Sequence, residues 1–202
     1  MRKSYGLHIY LLNIIDSLNK IDRKLFTFVH STASSPALDW VMVPLRNPLT
    51  WIPLYAFLLF WIVKYQRKYA WQFILLSLVV FAVTDFTSAS ILKPLFLRPR
   101  PCFEPALQPI IRNLVGCGGK YGMPSSHASN HFGLAAFWYF TITWMSNRRW
   151  WWLWLWAFLI CYAQVYVGKH YPGDILAGGV LGISAGFLGA VLFRKWLLKK
   201  DI

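Results

Sequence analysis

Acidic side chains are scarce in this chain: 7 Asp and Glu stand against 21 Lys and Arg, for a formal net charge of +14. Charge of either sign is thin, at 14% of 202 residues against 57% hydrophobic, which excludes an ordinary soluble domain and points to an integral membrane protein. Cysteine is limited to three positions, with no Cys-x-x-Cys pair and no closely spaced Cys and His set, which speaks against a zinc site. No RNA- or DNA-binding motif accompanies the basic excess, so it is assigned to topology and anionic lipid rather than to nucleic acid. Residues 1–30 lack a compact apolar core followed by small residues, so no cleavable signal is expected and insertion falls to the spans themselves. The turn Cys117-Gly118-Gly119-Lys120 is glycine-rich, but its spacing matches no nucleotide-binding loop.

What the chain has in abundance is apolar length. Five runs, roughly 49–63, 69–92, 128–145, 150–167 and 175–196, are expected as transmembrane helices, because backbone in lipid must satisfy its own hydrogen bonds. The expected fold is an all-α integral membrane bundle of five such helices, or six if residues 1–47 also cross. Within 1–47, apolar residues such as Leu18, Ile21, Leu25 and Phe26 alternate with Asn19, Lys20, Asp22 and Arg23, giving an amphipathic helix expected to lie in the interface. A second short interfacial helix is expected over 36–46, opened by Pro36. Residues 48–202 then form one transmembrane domain with a long connector, 93–127, and a short one, 168–174, on the same side. Gly178, Gly182 and Gly186, spaced by four, are expected to let the last span approach a neighbour closely. The run from Trp150 to Trp156 reads as an interfacial aromatic belt.

Alternation of the spans puts Lys64, Arg67, Lys68, Arg148, Arg149, Arg194, Lys195, Lys199 and Lys200 on one face, which the positive-inside rule makes cytoplasmic. The opposite face still holds Lys93, Arg98, Arg100, Arg112, Lys120 and Lys169, and an anionic substrate accounts for cations there. Cys102 and Cys117 share the same outward connector. A bridge between them would brace a loop of about 15 residues by roughly 3 kcal/mol, the alternative being two free thiols.

Three short patterns on that outward face carry chemistry. Pro124, Ser125 and Ser126 form an N-cap signal that sets His127 in the first turn of a helix, where unpaired backbone N–H groups attract phosphate. Lys93 and Arg100 lie in K-P-L-F-L-R-P-R-P, and His170 with Asp174 in H-Y-P-G-D. Asp85, about 12 Å deeper along its helix than Lys93, reads as a structural hydrogen-bonding group rather than a catalytic one. His131, one turn beyond His127, is a candidate to hydrogen-bond around the site or to touch a headgroup.

These patterns resemble the type 2 phosphatidic acid phosphatases. Lys93 to Pro101 fits that family's K-x6-R-P element, Pro124 to His127 fits P-S-G-H with Ser126 in the glycine place, and His170 with Asp174 fits H-x3-D. The likeness covers roughly residues 50–195. It departs at the family's S-R pair six residues before the histidine, here Ala163 and Gln164, so a phosphate-binding guanidinium is missing. The resemblance implies a metal-independent phosphatase without a cofactor, working through a phosphohistidine. His170 would be the nucleophile, Asp174 its orienting acid and His127 the general acid and base. Lys93, Arg100, Ser125, Ser126 and Gln164 would bind phosphate, with Arg98 and Lys169 the nearest compensation for Gln164. It also implies a bacterial inner-membrane enzyme acting on the periplasmic side on a membrane lipid phosphate. Undecaprenyl diphosphate ranks first, lipid A phosphates second, and phosphatidylglycerol phosphate or phosphatidate third. Lipid phosphotransfer and a non-catalytic lipid-phosphate binder with an impaired site are the competing readings.

Overall fold

A computed structural model describes the backbone of residues 2–200 and the side chains of Tyr10 and of 13–196. The chain is a helical bundle. In order, the helices are α1 (Arg2–Thr27), α2 (Pro36–Leu45), α3 (Ile52–Tyr65), α4 (Ala70–Phe86), α5 (Lys93–Phe96), α6 (Ser126–Ser146), α7 (Trp152–Tyr166) and α8 (Pro172–Lys200). A π-helical stretch, Thr87–Leu92, joins α4 to α5, so one apolar rod runs from Arg67 to Phe96.

Helices stand at all five of the expected apolar runs. Three stretches, Pro48–Tyr65, Arg67–Phe96 and Pro172–Trp196, have the length and apolarity of a bilayer crossing. The α6 helix is more polar and sits at the centre, with Ser129, Asn130, His131 and Thr141 all buried. Large apolar side chains face outward instead, among them Leu78 on α4 and Leu176, Val180 and Leu188 on α8. An apolar exterior around a partly polar centre is the arrangement lipid favours.

Small residues set the closest helix pair. A Cβ on Gly178, Gly182 or Gly186 of α8 would run into α6, at the carbonyl oxygens of Ser125, Ser129 and Gly133 respectively. The three glycines therefore let the two backbones touch. The rest of the core is aromatic: Phe73, Phe137 and Phe193 from α4, α6 and α8 pack together, and Trp138 of α6 stacks on Trp156 of α7 at 5.5 Å.

The N-terminal segment bears directly on the bundle's loops. Along α1, Leu18, Ile21 and Leu25 are exposed while Asp22 and Phe26 are buried, so the apolar stripe faces outward and the bundle receives a mixed face. The α2 helix is capped by Ser35, whose side chain accepts from the Leu38 amide, with Pro36 in its first turn as expected. Tyr166, at the end of α7, donates its hydroxyl to Asp39 Oδ1 at 2.7 Å, and Asp39 also pairs with Arg112 of the long connector. Buried His30 completes this layer: its Nε2 accepts from the Arg112 amide, which leaves Nδ1 to donate to the Tyr166 carbonyl.

Replacing Gly182 by Val should break the α6–α8 contact, because the obstruction is backbone and cannot swing aside. Overpacking of this kind costs about 3 kcal/mol or more, a fall in Tm of roughly 6–12 °C. Thermal unfolding in detergent checks it, with an alanine at lipid-facing Val180 expected to change little.

Candidate active site

One end of the bundle gathers the three patterns that carry Lys93 and Arg100, His127, and His170 with Asp174. The N-termini of α6 and α8, the C-terminus of α7 and the α5 turn meet there, and the long connector closes over them. Ser125 is the N-cap of α6: its hydroxyl accepts from the Ala128 amide at 3.4 Å, and the side chain is fully buried. His127 therefore falls in the first turn, as the motif requires. The Ser126 hydroxyl is bonded by Lys93 Nζ at 2.7 Å and by Ser88 at 2.9 Å, which ties the α4–α5 rod to the α6 mouth.

The other half of the site is built around Asp174. This carboxylate is completely buried in the first turn of α8. Its Oδ1 accepts from Arg98 Nη1 at 2.9 Å, its Oδ2 accepts from the Tyr171 amide at 3.0 Å, and His170 Nδ1 lies 3.5 Å from Oδ2. Arg100 Nη1 approaches His170 Nε2 at 3.4 Å. Since a guanidinium can only donate, Nε2 carries the lone pair and Nδ1 the proton facing Asp174. His170 is itself only 2% exposed, and that burial lowers its pKa to about 4, against the partial opposition of Asp174.

Arg98 does not stand in for the guanidinium missing at position 164. It is committed behind Asp174, with Nη2 on Asp22 Oδ2 at 2.6 Å and its plane 4.3 Å from the centre of the Tyr171 ring. Asp22 comes from α1 and also accepts the Gly173 amide at 2.8 Å; a Cβ on Gly173 would come within 2.7 Å of that carboxylate. Asp22 escaped the motif reading. The usable signal was its place beside Asn19, Arg23 and Phe26 on one helical face, in a chain with so few acids.

Lys93, Arg100, Lys169 and Arg46 form no ion pair with a carboxylate among the described residues. Lys169 is buried, and burial together with the neighbouring Arg46 and Arg100 lowers its pKa to about 8. Arg46 is the second residue that motif reading missed, lying outside all three patterns. Gln164 is 1% exposed with its Nε2 unpartnered, as are the buried Nε atoms of Arg46 and Arg100. Each of these unmatched groups is a donor, which suits an anion rich in acceptor oxygens.

A cavity of about 580 Å³ leads from Ser126 and His127 between α3, α4 and α6. Its wall includes Leu59, Ile74, Leu78 and Phe81, which are also exposed on the bundle's apolar flank, so the space is continuous with the bilayer side. Asp85 sits in that wall, its Oδ1 held by Asn130 Nδ2 at 2.9 Å, in keeping with a structural hydrogen bond. His131 donates to the His127 carbonyl at 2.8 Å and packs on Trp156. Cys102 and Cys117 are joined as a disulfide across the connector.

The PAP2 superfamily profile matches residues 73–197. The chain belongs to the PAP2 superfamily. It is 34% identical over 190 residues to a lipid A 4'-phosphatase of Bacteroides thetaiotaomicron, covering 90% of this chain and 81% of that protein. An undecaprenyl-diphosphatase of Sulfolobus acidocaldarius is 28% identical over 155 residues, 74% of this chain and 66% of its own. The transmembrane PAP2-type phosphatidylglycerolphosphate phosphatase of Bacillus subtilis has the same fold, with a TM-score of 0.68 and 23% identity over 96% of this chain and 98% of that one. This PAP2 member is an integral membrane phosphatase, and the expected all-α bundle is observed.

A pH prediction follows from His170. Its folded pKa, about 4, lies below the ordinary imidazole value near 6.5, so the folded state binds fewer protons in that window. The stability it contributes is complete above pH 6.5 and is lost as pH falls towards 4. Tm measured from pH 7.5 to 4 should fall, and His170→Gln should flatten part of that slope.

Proposed function

We propose that this protein hydrolyses the phosphate of a membrane glycolipid of the lipid A type through a phosphohistidine. The observation that carries the reading is the juxtaposition of His170, its Nε2 lone pair turned to Arg100 and its Nδ1 to Asp174, with a cavity that leaves His127 towards the apolar flank. A substrate with its phosphate at headgroup depth and its chains in the bilayer meets both features. The similarity to a lipid A 4'-phosphatase supports the glycolipid. So does Asp85: a carboxylate in the cavity wall suits a hydroxyl or amide donor, which a prenyl chain lacks. Undecaprenyl diphosphate is the second reading, favoured by the similarity to the archaeal diphosphatase.

In the first step His170 Nε2 attacks phosphorus; the N–P bond forms as the bond to the leaving oxygen breaks, and His127 gives that oxygen a proton. Asp174 meets the positive charge that develops on the imidazole, while Arg98 keeps the carboxylate aligned. In the second step His127 takes a proton from water, which attacks phosphorus and releases His170 and inorganic phosphate. Lys93, Arg100, the Ser126 hydroxyl, the Gln164 amide and the free N–H groups of the α6 mouth hold the non-bridging oxygens, where charge builds up. Ser125 contributes by fixing that mouth. The excess of Lys and Arg at the opposite ends of the helices, Lys64, Arg67, Arg148, Arg149 and Arg194 among them, supports a periplasmic active site.

Purified protein should release phosphate from lipid A in the presence of EDTA, faster than from undecaprenyl diphosphate or phosphatidate. His170→Ala and His127→Ala should each reduce release by on the order of 10⁴-fold or more, at unchanged yield of folded protein. Release abolished by EDTA, or surviving His170→Ala, counts against the mechanism. A clear preference for undecaprenyl diphosphate reverses the substrate order.

A further inference from the structure

We propose that Arg46, from the turn after α2, supplies the phosphate-binding guanidinium that position 164 lacks. The proposal rests on the phosphatase reading above and deepens it. Its ground is where residues 39–51 lie. Asp39 near the start of α2 is bonded to Tyr166 at the end of α7, and Trp51 packs edge-on against Trp156 further back along the same helix, ring centres 6.0 Å apart. The segment thus lies along α7 between those two points, Arg46 falls between its anchors, and Gln164 falls between theirs.

The turn that presents Arg46 is fixed from both sides. Trp51 Nε1 donates to the Leu45 carbonyl at 2.8 Å, Thr50 Oγ1 donates to the Pro44 carbonyl at 2.8 Å, and Asn47 caps the following turn. Two residues past Arg46, Pro48 forms part of the same cavity wall as Ser126 and His127. The Arg46 charge acts on His127, Arg100 and Lys169, which places it in their neighbourhood. Its Nε is buried without an acceptor, as is Gln164 Nε2. A half-buried guanidinium with a sealed Nε and no carboxylate is left under-compensated unless an anion arrives to share its charge. Oxygens of a phosphate between Arg46, Arg100 and Lys93 meet that need, with Gln164 adding one neutral donor.

The experiment compares Arg46→Ala, Gln164→Arg and the double variant with the wild type. Two readouts are used: phosphate release from lipid A, and calorimetric binding of inorganic phosphate and orthovanadate. Arg46→Ala should lower kcat/KM about 100-fold, the scale of losing one donor to a developing oxyanion, and weaken orthovanadate binding with it. Adding Gln164→Arg to Arg46→Ala should restore most of the loss, while the same substitution in the wild type should gain little. A loss under about threefold in Arg46→Ala, or equal effects of Gln164→Arg with and without Arg46, overturns the assignment. Oxyanion binding that depends on Arg46 in a protein that releases no phosphate upholds the assignment and counts against the phosphatase reading. Unchanged Tm in Arg46→Ala separates loss of a ligand from loss of the turn.

Discussion

The contact on which this site depends is the one between Arg98 and Asp174. A carboxylate sealed from water is strongly disfavoured unless its charge is met, and here a guanidinium, a backbone amide and an imidazole surround it. Meeting that charge has structural consequences. Arg98 must be carried over the mouth of α8 by the α5 turn, and its own second contact is Asp22 of α1. The α1 helix is thereby latched to α8, to Gly173 directly and to Asp174 through Arg98. Removing the Arg98 guanidinium would leave two acids uncompensated at once, an outcome far costlier than losing an exposed ion pair.

Scarcity of acid gives the site its other property. With seven acidic residues in the chain, those described are each placed: Asp16 beside Lys20, Asp22 and Asp174 on Arg98, Asp39 on Arg112, Glu104 by Arg23, and Asp85 with Asn130. Among the described residues, no carboxylate forms an ion pair with Lys93, Arg100, Arg46 or Lys169. In a partly buried pocket their mutual repulsion is unfavourable, and it adds to burial, the larger cause, in lowering the pKa of Lys169. An anion bound among them would relieve that repulsion. Stability forgone in the empty site is available as affinity for an anion.

The sequence was legible where one element supplies a whole pattern. The α6 mouth could be read because cap, first turn and apolar run are contiguous from Pro124 onward, and the glycine spacing of α8 because it repeats once per turn. Arg98 was misjudged, as a candidate phosphate ligand, because a linear motif shows that two cations precede the active-site helix but not which one turns back to an acid 76 residues later. Asp22 and Arg46 were illegible for a related reason. Both reach the site from residues 1–47 by tertiary packing: the face Asp22 shares with Asn19, Arg23 and Phe26 marks it without naming its partner, and no such pattern marks Arg46. His30 likewise looks like an interfacial histidine, yet it is buried, with each ring nitrogen holding a different part of the connector layer.

Under the assignment proposed for Arg46, the site keeps its electrostatics while exchanging the elements that supply them. What a transferring phosphoryl group requires is positive charge and donors at the positions its equatorial oxygens will occupy, irrespective of which helix delivers them. A guanidinium on α7 at position 164 would be rigidly placed by its helix. One delivered from the α2 turn depends on the packing of residues 39–51 against Tyr166 and Trp156. With Asp22 holding Arg98 from α1 as well, both Asp174 beside His170 and the turn that carries Arg46 are steadied by contacts from residues 22–51. On that reasoning the N-terminal segment belongs to the candidate site: a bundle without it retains the histidines but lacks what fixes their surroundings.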